Sequence, residues 1–170
     1  IAATMLPIIV PFTGKIQNRP IYFLRGSTGK GKSFLLLAMQ NFFGRFTEPV
    51  SWTSTPNSIQ KIGYYFKDAM YLVDDYKRAN LGMNNQAQAR AILQNYADMT
   101  GRSRLKSDSS LQKTYSIKGG LTISGEDIVS GEASNLARMI IIEYPQTKPD
   151  LKKGYRVEDL APSYSAFTGR

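Results

Sequence analysis

The apolar residues of this chain change their spacing several times between residues 21 and 144. Continuous apolar runs predict buried strands, and these lie at 21–24, 50–53, 69–73, 121–124 and 139–144. Between them, apolar residues recur every three or four positions, which predicts helices that begin near residues 34, 56, 84 and 132. This alternation predicts an α/β fold with a central parallel five-stranded sheet flanked by helices.

Two of the predicted helices have candidate capping residues. Asn57 follows Pro56 at the start of the second helix, and Asn84 with Asn85 stands at the start of the third. An Asn side chain accepts hydrogen bonds from the free backbone N–H groups at a helix start. We therefore expect these three Asn residues to cap helices, and contact with a ligand is the alternative for Asn57.

The chain has 170 residues, which fits one domain with a substantial core. We expect an N-terminal flanking segment at 1–20, a folded core at 21–145 and a C-terminal extension at 146–170. The chain contains no Cys and no His, which excludes disulfides, zinc fingers, thiol chemistry and His general bases. Its longest apolar run, at 5–12, is much shorter than the roughly 20 residues of a membrane span. We therefore expect a cytoplasmic protein without a membrane partner.

The net charge of the chain indicates a class of binding partner. The chain has 22 Lys and Arg residues against 13 Asp and Glu residues, a formal net charge of +9. This balance favours polyanionic partners such as nucleic acids, and a solvated basic surface is the alternative.

The octet GSTGKGKS at 26–33 lies between the first predicted strand and the first predicted helix. It fits the phosphate-binding pattern G-x-x-x-x-G-K-[ST], in which Gly residues let backbone N–H groups approach phosphate oxygens. Lys32 would reach the β- and γ-phosphates, and Ser33 would bind Mg²⁺. The alternative is a flexible surface turn. The predicted nucleotide-binding residues, with ATP and Mg²⁺ as ligands, are Gly26, Ser27, Thr28, Gly29, Lys30, Gly31, Lys32, Ser33 and Phe34.

A second candidate motif is AMYLVDD, an apolar run that finishes in two carboxylates. A phosphate-binding loop is accompanied by an acid that holds the metal at the end of a neighbouring buried strand. We expect Asp74 to hold Mg²⁺ together with Ser33, and Asp75 to act as the general base for the attacking water. The alternative is a turn at a strand end with two solvated acids.

The chain resembles the AAA+ ATPases, and most of all the helicase-like ATPases of phages, plasmids and other mobile elements, some of which are similar to minichromosome maintenance helicases. The stretches that carry the resemblance run from about residue 20 to 145, and they are GSTGKGKS, WTSTPNSI, YLVDDYK, ILQNYADMTGRSRL and LTISGED followed by ASNLARMIIIEY. The resemblance implies a P-loop NTPase fold and a ring of subunits, most simply a hexamer. It also implies a lid domain after the fifth strand, which we expect to be truncated or absent here.

The resemblance assigns two further catalytic residues. Ser124 stands where these ATPases place a polar residue that senses the γ-phosphate. Arg138 stands where they place an arginine that completes the site of the neighbouring subunit, and a basic residue that favours a helix C-terminus is the alternative. Glu126 and Asp127 follow Ser124 closely, and either a helix cap or a supporting pair at the site would explain them.

A basic segment, 100–120, lies between the third helix and the fourth strand. The resemblance implies a β-hairpin there that points into the channel of the ring and holds the phosphate backbone of DNA. The predicted DNA-binding residues are Arg104, Lys106, Lys113 and Lys118. An ordinary solvated hairpin is the alternative, and Arg102 or Arg104 facing the adjoining subunit is another.

Together these features predict an ATP-hydrolysing motor domain of a ring-forming DNA replication helicase from a mobile element or phage. Its expected partners are single-stranded or forked DNA and further copies of itself. Two alternatives remain: an initiator or loader that binds DNA in a nucleotide-dependent way without unwinding it, and a small-molecule P-loop kinase.

Overall fold

The computed structural model describes residues 19–99, 115–129, 133–145, 150–160 and 163–164. The strands in this part of the chain are β1 (Ile21–Arg25), β2 (Val50–Ser51), β3 (Met70–Tyr76), β4 (Gly120–Gly125) and β5 (Met139–Glu143). The α-helices there are α1 (Lys32–Gln40), α2 (Pro56–Tyr65), α3 (Met83–Ala97), α4 (Ala133–Leu136) and α5 (Leu151–Leu160). Short 3-10 helices lie at Asn41–Phe43 and Arg78–Asn80.

The strands form one sheet in the order β2-β3-β4-β1-β5, and all neighbouring pairs are parallel. This confirms the predicted α/β fold with a parallel sheet of five strands. β4 lies between β1 and β3, with Ser124 beside Leu24 and Ile123 beside Val73. Because the strands are parallel, the carboxyl ends of β1, β4 and β3 meet at one edge of the sheet, here called the carboxyl edge.

Helices cover both faces of the sheet, as predicted. Alternate residues of a strand point to opposite faces, so β3 contributes to two cores. Tyr71 and Val73 pack with the buried residues of α2 and α3. Met70 and Leu72 pack on the other face, with Leu36 of α1. The continuous apolar character of β3 follows from this burial on both sides.

The predicted Asn caps are wrong for both helices. α2 is capped by Thr55, whose hydroxyl accepts a hydrogen bond from the Ser58 N–H at 3.3 Å, and Pro56 takes the first helical position. α3 begins after Gly82, without a side-chain hydrogen bond at the cap, so Asn84 and Asn85 lie inside its first turn. Asn57 likewise lies inside α2.

The sequence pattern does not predict α5, which lies in the C-terminal extension. The extension contacts the core through stacked rings of Phe42 and Tyr164, whose centroids are 4.8 Å apart. No helix among the described residues has the length and apolar character needed to cross a bilayer. The part of the predicted hairpin up to residue 114 lies outside the described residues. Residues 115–118, which are described, have no regular secondary structure.

Candidate functional site

The loop after β1 begins at the carboxyl edge and is bonded there to β4. The Gly26 N–H donates to the carbonyl of Gly125 at 3.1 Å. A Cβ on Gly26 would lie 3.1 Å from the Cβ of Tyr144 and 3.4 Å from the Cδ of Lys32. Gly26 therefore fits a position where a larger residue would displace Tyr144 by a few tenths of an ångström.

Backbone conformation explains the other two Gly residues of the loop. Gly29 has φ of 75° and Gly31 has φ of 85°, both in the left-handed region that only Gly enters freely. Gly31 is also the N-cap of α1 and has no side chain over the helix end. The free N–H groups and the positive end of the α1 dipole are therefore open to an anion.

Lys32 and Ser33 stand in the first turn of α1. Lys32 is buried, and its Nζ donates to the carbonyl of Ser27 at 2.8 Å, so the ammonium is held against the loop itself. Ser33 is half-buried, Lys30 is half-buried and Phe34 is 40% exposed. The predicted phosphate-binding residues are thus arranged as one loop and one helix start, with the Lys32 ammonium bonded to the loop.

Asp74 and Ser124 meet at the carboxyl edge because β3 and β4 are neighbours. The Ser124 hydroxyl donates to Oδ1 of Asp74, and it also accepts from the Asp75 N–H at 3.4 Å. Ser124 is almost fully buried and Asp74 is half-buried. Two residues that are 50 positions apart in the sequence therefore share one hydrogen-bonded group beside the loop.

Asp75 lies on an irregularity of β3. The register between β3 and β4 shifts between Val73 and Tyr76, and Asp75 has φ of 61°. A bulge changes the direction of side chains, and a non-Gly residue in this region costs about 1–3 kcal/mol. The sequence places Asp75 after the end of a strand, whereas the structure places it inside β3 with its side chain exposed. The left-handed conformation separates the two acids, with Asp74 inward and Asp75 toward solvent.

Glu126 holds the loop at 26–33, a supporting role that the sequence left open beside that of a helix cap. One carboxylate oxygen, Oε1, accepts from the Thr28 N–H at 3.0 Å and from the Thr28 hydroxyl. The other, Oε2, lies 3.1 Å from the Nζ of Lys77. A protein carboxylate thus takes a loop N–H that the predicted function assigns to a phosphate. The only sequence signal for it is an acid two positions after Ser124.

Asp127 has a different role. Its Oδ2 accepts from the Arg78 N–H at 2.8 Å and so caps the 3-10 helix that follows β3. Of the two explanations that the sequence leaves open, a helix cap fits Asp127, and a supporting position at the loop fits Glu126.

Arg138 lies at the opposite edge of the sheet from the loop. Its carbonyl accepts from the Ile21 N–H at 2.9 Å, which places Arg138 beside the first residue of β1. The length of β1 separates it from the loop by about 16 Å. Its guanidinium pairs with Asp98 at 2.8 Å, and its Nη1 is buried without a hydrogen bond. The structure therefore does not bring Arg138 to the site of its own chain.

Of the predicted DNA-binding residues, Arg104, Lys106 and Lys113 lie outside the described residues. Lys118 is exposed, and its Nζ lies 4.8 Å from the ring centroid of Tyr64. It precedes β4 and therefore stands at the amino edge of the sheet, away from the loop.

The predicted metal ligands fit a cation that is bound together with a triphosphate. In the described ranges, no group of three or more Asp, Glu, His or Cys side chains is placed to hold a metal ion by itself. Mg²⁺ at phosphate sites takes one or two protein ligands and completes its shell with phosphate oxygens and water. The hydroxyl of Ser33 and the carboxylate of Asp74 are oxygen ligands of the required kind.

No family model matches the chain, and no curated protein matches it. One solved structure with a similar fold is described as an SCCmec type IV Cch active helicase. The TM-score is 0.62 at 14% sequence identity, and the match covers 94% of this chain. The chain spans 29% of the length of that helicase chain. The similarity shows a helicase-like α/β fold for the chain.

Proposed function

We propose that the chain binds ATP with Mg²⁺ at the carboxyl edge and hydrolyses it. The observation that carries the proposal is the meeting of three strand ends there. The loop at 26–33 follows β1, Ser124 ends β4, and Asp74 lies on β3. Because β4 lies between the other two strands, Ser124 stands between the loop and the acid.

Each residue of the site has a role in this proposal. The N–H groups of the loop and Lys32 bind the phosphates, and Ser33 with Asp74 holds Mg²⁺, which when bound neutralises phosphate charge. Asp75 orients the attacking water and accepts its proton. Ser124 keeps the Asp74 carboxylate in one orientation through its hydrogen bond.

The proposal extends to a ring of subunits of the AAA+ type. Arg138 is at the amino edge, about 16 Å from the loop of its own chain, so it has to act on another copy if it contacts a phosphate. To do so it must leave Asp98. In a ring, most simply a hexamer, each chain would offer its loop to one neighbour and Arg138 to the other.

We further propose that hydrolysis moves single-stranded or forked DNA, in a replication helicase of a mobile element or phage. The net charge of +9, the basic segment before β4 and the helicase-like fold support this proposal. DNA-stimulated hydrolysis would be its direct consequence.

The test is ATP turnover of a preparation whose mass is known from light scattering, with and without single-stranded DNA. Lys32→Ala is expected to lower kcat by about 100-fold or more, because Lys32 is the charge held against the loop. Lys153→Ala, which removes an exposed lysine of α5, is the charge-matched control and should leave turnover unchanged. Wild-type turnover in Lys32→Ala would refute the proposed site.

Further outcomes separate the alternatives. Turnover that DNA stimulates, together with unwinding of a forked duplex, supports the motor. DNA binding without unwinding supports a loader, and turnover that requires a small phosphoryl acceptor supports a kinase. For the ring, Arg138→Ala mixed with Lys32→Ala should regain part of the activity, since each variant supplies what its neighbour lacks. Mixtures as inactive as either variant alone would contradict an arginine acting between subunits.

A further inference from the structure

Three tyrosines form a cluster at the amino edge of the sheet, here called the tyrosine platform: Tyr64 and Tyr65 at the end of α2, and Tyr115 before β4. The centroid of Tyr64 lies 5.5 Å from that of Tyr65 and 5.3 Å from that of Tyr115, with both pairs edge-to-face. Tyr65 and Tyr115 are 6.4 Å apart and tilted by 42°. These spacings make the three rings one contact group.

The backbone beneath the platform is fixed. The N–H groups of Lys118 and Gly119 both donate to the carbonyl of Gly63, at 3.1 and 3.3 Å. A Cβ on Gly63 would lie 2.7 Å from Cε1 of Tyr71 on β3 and 2.9 Å from Cγ1 of Ile117, so α2 is packed tightly against β3 and against the segment before β4. The backbone segments that carry the three rings are therefore held together by the fold.

Tyr65 is the ring that the platform presents to solvent. Its side chain is 62% exposed, whereas Tyr64 and Tyr115 are half-buried. Large exposed aromatic rings on a rigid base are favourable contact surfaces for flat ligands. Tyr65 thus contacts two neighbouring rings and keeps most of its side chain exposed.

Two lysines flank the platform. Lys118 Nζ lies 4.8 Å from the centroid of Tyr64, and Lys61 Nζ lies 5.9 Å from that of Tyr115. Cation–π contacts of this length position an ammonium group over a ring. Both lysines are exposed, so the ammonium groups can also meet phosphate oxygens from solvent.

A ring for stacking with cations beside it is the combination that binds single-stranded nucleic acid without regard to sequence. Duplex bases are already stacked on one another, so a duplex would not offer a base to Tyr65. We propose that the tyrosine platform binds single-stranded DNA, with a base stacked on Tyr65 and phosphates at Lys61 and Lys118. The inference rests on the proposed function for the identity of the polymer, and it adds a base-stacking surface formed by the end of α2 and the last residues of the basic segment.

The experiment compares two labelled 20-mers by fluorescence anisotropy: oligo(dT) and an abasic strand of the same length and charge. Tyr65→Leu is expected to weaken oligo(dT) binding about tenfold, because base stacking is lost, and to leave abasic binding unchanged. Tyr65→Phe should bind like wild type because it keeps the ring. Tyr155→Leu, at a tyrosine of α5 that is 65% exposed, is the matched control and should have no effect.

Lysine variants test the phosphate part. Lys118→Gln should weaken the binding of both oligonucleotides. It should also reduce the slope of log K against log salt by about 0.7, the value for one phosphate contact on a single strand. Lys153→Gln should leave the slope unchanged. No change in slope for Lys118→Gln would overturn its contact with phosphate.

The base-stacking inference would be overturned if Tyr65→Leu lost the same affinity for oligo(dT) and for the abasic strand, or lost none. Tighter binding of oligo(rU) with the same dependence on Tyr65 would assign the platform to RNA and overturn the DNA assignment. ATP turnover without DNA, measured on the same variants, separates this inference from the proposed function. If Tyr65→Leu loses oligo(dT) binding but keeps normal turnover, the platform is supported independently of the nucleotide site. If Lys32→Ala keeps wild-type turnover, the proposed nucleotide site is refuted and the platform is not.

Discussion

Replacing Glu126 by Gln is expected to tighten ATP binding. In the free protein the Glu126 carboxylate accepts from the Thr28 N–H at 3.0 Å and from the Thr28 hydroxyl. A phosphate oxygen that takes this N–H must displace the carboxylate, and the two anions also repel each other. Glu126→Gln keeps the size of the side chain but removes the competing charge.

The magnitude follows from the contacts that ATP has to break. A hydrogen bond to a charged group contributes about 1.5–3 kcal/mol, and a neutral one about 0.5–1.5 kcal/mol. The difference is about 1–1.5 kcal/mol, which corresponds to a Kd that is lower by about 5–13-fold. The ion pair with Lys77 adds little, because its side chains are 35% and 27% exposed and such pairs contribute about 0–1 kcal/mol.

Isothermal titration with a non-hydrolysable ATP analogue and Mg²⁺ measures the effect. Glu143→Gln is the matched control, since Glu143 pairs with Arg25 near the same edge at 3.1 Å and has no bond to the loop. It removes the same charge near the same edge and keeps the Glu126 carboxylate that bonds Thr28. Weaker binding in Glu126→Gln, or equal tightening in both variants, would refute the displacement argument.

Two further predictions concern stability. Gly125→Ala should lower the free energy of unfolding by about 1–3 kcal/mol, because the added Cβ would lie 2.5 Å from the backbone carbonyl oxygen of Tyr76. Urea unfolding measures this change, and a loss below about 0.5 kcal/mol would contradict the tight packing. Burial raises the pKa of Tyr71 above its ordinary value of 10.0, and its hydroxyl donates to the Ile59 carbonyl at 2.7 Å. The folded state therefore holds this proton more tightly than the unfolded state, so its contribution to stability is present below pH 10 and lost as the pH rises above it. Urea midpoints between pH 8 and 11 should fall less steeply in Tyr71→Phe than in wild type, and equal slopes would refute the assignment.

Much of the fold was predictable from local patterns. Continuous apolar runs mark β1, β3, β4 and β5. Burial on both faces explains the runs of β1, β3 and β4, whereas β5 is an edge strand with Ile140 and Ile142 exposed. The octet at 26–33 was predictable as a strand–loop–helix turn because Gly29 and Gly31 take conformations that other residues avoid. Burial of Lys32 against its own loop follows from the same short segment.

Several local predictions failed where neighbouring residues compete for one role. Thr55 and Gly82 begin the helices that Asn57, Asn84 and Asn85 were expected to cap, because a cap depends on where the chain turns and several polar residues stand near each turn. The helix α5 was missed since only part of its surface meets the core, as its exposed Tyr155 and Leu160 indicate.

The sequence by itself determined most of the strands and helices, α5 excepted, and it determined where the loop at 26–33 needs Gly. Only the tertiary structure decided that β4 separates β1 from β3, and therefore that Ser124 meets Asp74 and that Glu126 meets Thr28, 98 positions away. The physical reason is one of range. Periodicity and backbone preference act over a few residues, whereas the order of strands is fixed by packing among segments that are far apart in the chain.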